Sequence, residues 1–214
     1  MKPSVLRITD LGSQKFAECI AILRESIPRG EQLPTQRMRE LLTGDSYQLL
    51  SLGTSEGTLA VAIVYFSAEL PFCLLDYMAV RADVRGQGVG SALFHAVVEI
   101  ARQANPVPDW LLLEVDDDRE GTAESRTVDR RRIESYQHLG ARLLHNVPYR
   151  FPSAFVAPVP MRLMAYPLRA SATLSADDLR RTIADVFLNV HGRGSGDELL
   201  LWFEASVPEG IEMK

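Results

Sequence analysis

The chain has 214 residues, 46% of them hydrophobic and 24% charged, with a formal net charge of -5 at neutral pH. That length supports one sizeable domain, or a domain with a small appendage, and the composition excludes the disordered and fibrous classes. The acidic balance argues against a general nucleic-acid binder and accords with a cationic or amine-bearing substrate, and no apolar run reaches membrane-spanning length.

In the opening "MKPSVLRITDLG", Thr9 and Asp10 interrupt the apolar residues, so no signal-peptide core forms. "SVLRIT" reads as a short strand. Phe16, Ile20, Leu23 and Ile27 then recur at helical intervals, so residues 13–26 are expected to form an amphipathic helix. Pro28, Gly30 and Pro34 break it, and "TQRMRELL" reads as a second helix closing at Gly44. The period then changes. "YQLLSLG", "TLAVAIVYF" and "FCLLDYMAV" read as strands, the first two joined by a hairpin at "TSEG". Cys19 and Cys73, the only cysteines, are embedded in apolar segments and read as reduced, buried thiols, which points to a cytoplasmic protein.

From Val89 onward Leu93, Ala96, Val97, Ile100 and Ala104 mark a buried amphipathic helix, ended by Pro106 and Pro108. "WLLLEV" lacks polar alternation and reads as a central strand. The polar stretch "DDDREGTAESRTVDRRR" reads as a loop leading into a helix over residues 130–139, stopped by Gly140. "ARLLHNV" and "MRLMAYPL" form a final strand pair, separated by "PYRFPSAFVAPVP". In "SADDLRRTIADVFLNV" a helix is expected with Ser175 as its N-cap, and "ELLLWFEA" is read as an edge strand. This order is neither a strict βαβ alternation nor all-β.

Gly86, Gly88 and Gly90 stand at alternate positions directly before a helix. A tight turn needs only one glycine. Three together expose successive backbone amides at a helix N-terminus, a setting for a phosphate, with the Arg85 cation beside them. A dinucleotide-binding turn fits poorly, because the spacing is not G-x-G-x-x-G and "RADVR" separates the strand end at Val80 from Gly86.

The segment "VRADVRGQGVGSAL" resembles the acetyl-CoA signature of the GNAT superfamily of N-acetyltransferases, Q/R-x-x-G-x-G/A, matched here by Arg85, Gly88 and Gly90. The resemblance runs over residues 4–168. It implies an α+β fold with a mixed, mostly antiparallel central sheet flanked by helices. A GNAT-like domain at residues 1–170 would be followed by a C-terminal helix and strand extension, residues 171–214, packed on the same domain. By the same resemblance, Arg85 and the amides of Gly86, Gln87, Gly88, Val89, Gly90 and Ser91 would hold the pyrophosphate of acetyl-CoA. The backbone of Met78, Ala79 and Val80 would take the pantetheine arm as an added strand.

Acetyl transfer to a primary amine needs a proton acceptor, an oxyanion partner and a proton for the thiolate. Tyr136 in "RRIESYQHLGAR" precedes a glycine by four residues, as does the superfamily tyrosine that acts as general acid; packing beside Ile133 is its alternative role. Glu114 at the end of "WLLLEV" corresponds to the base in ribosomal-protein N-acetyltransferase relatives, with Asp76 as second choice. A backbone N–H near Met78 or Ala79 would meet the oxyanion. Relatives often carry a coenzyme-touching asparagine that this chain lacks between Glu114 and Tyr136. Asp116, Asp117 and Asp118 read as a solvated run or as an attractor for a cationic acceptor, with residues 130–132 near phosphates.

No cysteine or serine stands in a nucleophile setting, so direct attack in a ternary complex is expected. His95, His138, His145 and His191 show no ligand spacing, and no metal is expected. The acceptor would be a small-molecule or peptide amine, walled in part by "YRFPSAFVAPVP". Neither nucleic acid nor membrane is expected as a partner; a homodimer through residues 171–214 is open. A non-catalytic acyl-CoA-binding module is the alternative function.

Overall fold

The computed structural model describes residues 3–29, 32–153 and 157–214. Gly30, and residues 154–156 of the proline-bearing loop, therefore lie outside the described residues. Eight strands and six α-helices are present among the described residues, in the mixed α+β class with a mostly antiparallel sheet that the resemblance implies. No described helix is long and apolar enough to cross a membrane. The chain divides into two compact units, residues 1–68 with 73–107, and residues 69–72 with 108–214.

In the first unit β1 (Ser4–Arg7), β2 (Tyr47–Thr54), β3 (Gly57–Phe66) and β4 (Phe72–Val80) pair antiparallel in that order. The β2–β3 hairpin turns at Thr54–Gly57, where Gly57 takes φ 143°. Helix α1 (Gln14–Ser26) is capped by Ser13, whose side chain accepts from the Phe16 N–H, and it buries Phe16, Cys19, Ile20, Ile22 and Leu23. Glu18 fastens α1 to β3 by accepting from both the N–H and the hydroxyl of Thr58, at 3.1 and 2.7 Å. Helix α2 (Thr35–Thr43) ends at Gly44. Helix α3 (Val89–Arg102) buries Leu93, Phe94, Val97, Val98 and Ala101, so of the expected stripe Leu93 and Val97 go into the core, Ala96 and Ile100 are half-buried at its margin, and Ala104 lies beyond the helix end. Phe94 is fully buried, so truncating it to alanine would cost about 3–5 kcal/mol.

Cys19 and Cys73 are free and buried. Burial pushes the Cys19 thiol up to about 11 and raises that of Cys73 as well, so neither presents a thiolate nucleophile.

In the second unit β8 (Val159–Pro167) is the organising strand. It pairs antiparallel with β5 (Trp110–Asp116) along one edge, and with the short strands β6 (Arg142–Leu143) and β7 (Tyr149–Phe151) along the other. Helix α4 (Ala123–His138) starts well before the expected residue 130. Thr122 caps it by accepting from the Ser125 N–H, but only Ile133 is buried along its length, so its first turns carry no apolar period to read.

Ser175 caps α5 (Ala176–Asp185) in a full capping box with Asp178, and the helix continues into a wider turn over Val186–Val190. The segment "ELLLWFEA" is not an edge strand. It forms α6 (Glu198–Ser206), because Asp197 accepts from the N–H groups of Leu199 and Leu200, while Leu200 and Phe203, one helical turn apart, go into the core. Arg180 of α5 donates to the carbonyls of Glu204 and Val207, satisfying the end of α6. The strand-like part of this extension is the chain end: Leu143 and Lys214 exchange N–H···O bonds at 2.7 and 3.0 Å, and the His145 N–H donates to Glu212 at 2.8 Å.

Candidate active site

In the first unit, β4 delivers Met78, Ala79 and Val80 opposite Ala62, Val61 and Ala60 of β3. The register slips between Ile63 and Val64, so Asp76 is the extra residue of a β-bulge. Asp76 is half-buried, and its charge, after burial itself, raises the phenol of the buried Tyr47. A single turn of 3-10 helix, Ala82–Val84, follows β4 and leads to the glycines.

Gly86 and Gly88 both have positive φ, 75° and 79°, which an L side chain adopts only with strain. Gly88 is the N-cap of α3, and no side chain bonds to the first N–H groups there. A Cβ placed at Gly86 or Gly88 would meet nothing within 4 Å. The first turn of a 14-residue helix therefore ends in open amides, with no acidic residue in that turn. These features fit the negative charge of a pyrophosphate.

Gly90 serves differently. It lies inside α3, and a Cβ there would come to 3.5 Å from Val80 and 3.6 Å from Met78, whose side chains support the helix start from one face of β4. Arg85 is exposed and closes the turn by donating to the Val80 carbonyl and the Ser26 hydroxyl, both at 3.0 Å. It forms no ion pair among the described residues, so its charge is not cancelled by a neighbouring carboxylate. Gln87 donates to the Asp83 carbonyl at 3.3 Å, and Ser91 is exposed in the first turn of α3.

In the second unit, Glu114 stands on β5 opposite Leu163 of β8, with its side chain 6% exposed. Two donors meet its Oε1: the hydroxyl of Tyr149 on β7, and His191 Nε2 at 3.3 Å. His191 follows the turn that extends α5, and its ring meets Phe151 and Phe187 edge-on, with centroids 4.9 and 5.8 Å away. Tyr149 in turn packs edge-on against Phe203 of α6, 5.8 Å between centroids.

Neither Tyr149 nor His191 is picked out by the sequence. Tyr149 lies in a proline-flanked stretch read as a loop. The one signal for His191 was its spacing four residues after Phe187 on a helical pattern.

Tyr136 is half-buried on α4, and burial raises its phenol above the ordinary tyrosine value. A phenol in that setting keeps its proton at neutral pH. The three aspartates at the end of β5 and just beyond it are already paired: Asp116 with Arg132, Asp117 with Arg119 at 2.6 Å, and Asp118 with Arg162 and Arg130 at 3.4 and 3.5 Å. Burial alone would raise Asp117, but the bonds from Arg119 and the charge of Arg162 outweigh it and hold the carboxyl below its usual range. The acidic run and two of the three arginines at 130–132 thus neutralise one another locally, which weakens both the acceptor-attracting and the phosphate-binding readings. His95, His138 and His145 are exposed, and no cluster that could hold a metal ion occurs among the described residues.

Residues 20–124 match the acetyltransferase (GNAT) family. The chain carries a GNAT acetyltransferase-family domain. The match takes in the α3 cradle and Glu114, and stops before Tyr136, Tyr149 and His191. The GNAT fold recurs in solved structures. A GNAT-family acetyltransferase from Bacteroides thetaiotaomicron superposes with a TM-score of 0.72 at 20% identity, over 89% of this chain and 99% of that one. The ribosomal-protein-S18-alanine N-acetyltransferase from Escherichia coli gives 0.54 at 18%, over 80% and 99%. A GNAT acetyltransferase from Elizabethkingia anophelis, solved with acetyl-CoA bound, gives 0.52 at 15%, over 78% and 98%. No curated protein matches the sequence.

Proposed function

We propose that the protein is an acetyl-CoA-dependent N-acetyltransferase that moves an acetyl group to a primary amine of a small molecule or peptide by direct attack. Residues 1–170 form the acetyltransferase domain and residues 171–214 an extension of it. The observation that carries the reading is the uncapped start of α3, with Gly86 and Gly88 at positive φ, inside the family-matched segment.

In this scheme the amides of residues 86–91 and Arg85 hold the pyrophosphate, and the backbone of Met78, Ala79 and Val80 aligns the pantetheine arm. Acetyl-CoA supplies the acyl group as a reactive thioester. As the amine nitrogen bonds to the acyl carbon and the C–S bond breaks, Glu114 accepts the proton the amine loses and Tyr136 gives one to the sulphur. The backbone N–H of Met78 or Ala79 is the oxyanion donor. The raised phenol of Tyr136 supports its part, since an acid must arrive protonated. The two buried, high-pKa thiols support direct attack over an acyl-cysteine, and as reduced thiols they support a cytoplasmic setting.

Thiol release from acetyl-CoA, followed across a panel of primary amines and N-terminal peptides, tests this function. Turnover with at least one acceptor is expected. Coenzyme binding by mass measurement with no thiol release from any acceptor would instead make the protein an acyl-CoA-binding module. Tyr136→Phe and Glu114→Gln are both expected to lower turnover, and if neither does, the assignment of acid and base is wrong.

A further inference from the structure

His191 lies in the extension, outside the family-matched residues, yet its side chain is as buried as that of Glu114, 6% exposed in each case. Its Nε2 is 3.3 Å from Glu114 Oε1. An imidazole nitrogen that faces a carboxylate oxygen carries the proton, so Nε2–H is the donor. The Tyr149 hydroxyl donates to that same oxygen from β7. Both bonds fall on Oε1, and Oε2 makes none among the described residues.

The imidazole is itself held. Phe151 and Phe187 meet it edge-on from two elements. Two residues later, Arg193 donates to the carbonyls of Pro152 and Ser153 and pairs with Asp197 at 3.3 Å, so the segment after α5 is fastened to the end of β7 and to the start of α6. A carboxylate gripped through one oxygen by two donors on separate elements keeps a single orientation. Its other oxygen is then presented without rotamer freedom to spend on binding.

We propose that His191 is a positioning residue for Glu114: together with Tyr149 it fixes Oε1 and leaves Oε2 to take the amine proton, which makes the C-terminal extension a working part of the acetyl-transfer site. The proposal rests on Glu114 being the base.

Full-length protein is assayed with acetyl-CoA and, as probe amines, putrescine and a peptide with N-terminal alanine, beside the wider panel. His191→Leu removes the donor and keeps apolar bulk between the two phenylalanines. It is expected to lower kcat about tenfold or more while the KM for the amine stays within about twofold, because the lost bond acts through a charged group. His191→Gln restores an N–H at similar reach and is expected to recover most of kcat; His191→Asn, too short to reach, is not. Should His191→Leu fail to fold by thermal melt, the contrast between glutamine and asparagine decides.

An unchanged kcat in His191→Leu beside a collapsed kcat in Glu114→Gln overturns the proposal and leaves Glu114 as the base. Full activity in both variants removes the base assignment and the proposal with it. Thiol release with no amine of the panel overturns the acetyl-transfer reading and this proposal together.

Discussion

The cradle at the start of α3 and the surroundings of Glu114 are built from opposite materials. The cradle is backbone, and its parts lie within six successive residues, 86–91. The Glu114 cluster is side chains drawn from β5, β7 and the segment after α5, with partners 35 and 77 residues away in sequence. An amide donor is present on every non-proline residue, so the cradle constrains its sequence only through conformation, at the positions where φ is positive. A buried carboxylate needs particular donors, so every member of its cluster is constrained by chemistry. One region should therefore fail through shape and the other through protonation.

The sharpest break in that contrast is Glu114→Gln, which keeps shape and removes the proton acceptor. It is expected to lower kcat about hundredfold or more, the usual scale of general-base catalysis, while calorimetry finds coenzyme A affinity unchanged. Next in size, Gly88→Val places a β-branched side chain at φ 79°, where its Cβ meets nothing within 4 Å. It should weaken coenzyme A binding about tenfold and lower Tm, since left-handed backbone costs about 1–2 kcal/mol for an L residue and the cradle amides turn away.

A third test concerns the charge network after β5. Asp117, buried beside Arg119 and Arg162, is held below the ordinary carboxylate value, so its contribution to stability is present above that value and is lost as pH falls through the depressed one. Asp117→Asn is thus expected to lose about 1–3 kcal/mol near pH 6, a gap that closes as pH drops below about 4, read from Tm against pH. The smallest effect belongs to Gly90→Ala. Its φ is not left-handed and its Cβ meets Val80 and Met78 at ordinary contact distances, so Tm should hold or rise by the equivalent of about 1 kcal/mol. A large loss there would mean that Gly90 also answers to the backbone constraint seen at Gly88.

Elements whose signals are local were legible from the chain. The apolar period places α1, Ser175 marks the start of α5, and the glycines announce the start of α3, although the buried face of α3 is rotated from the expected stripe and shares only Leu93 and Val97 with it. Where an element's outer face meets solvent or its apolar run lacks a period, legibility fell away. The first two turns of α4 bury nothing apolar, so its start lay hidden in a charged stretch. "ELLLWFEA" suits a strand or a helix equally by hydrophobicity, and the cap at Asp197 was the deciding feature.

By itself the sequence determined the glycine turn before a helix and, through the family resemblance that this motif carries, pointed to the fold class, to a coenzyme cradle and to Glu114 and Tyr136 as candidates, because the motif rests on residues close together along the chain. Only the tertiary structure decided what grips Glu114 and where the acidic run spends its charge. Those contacts join strands and turns many residues apart, and no local period encodes which buried donor will meet which carboxylate.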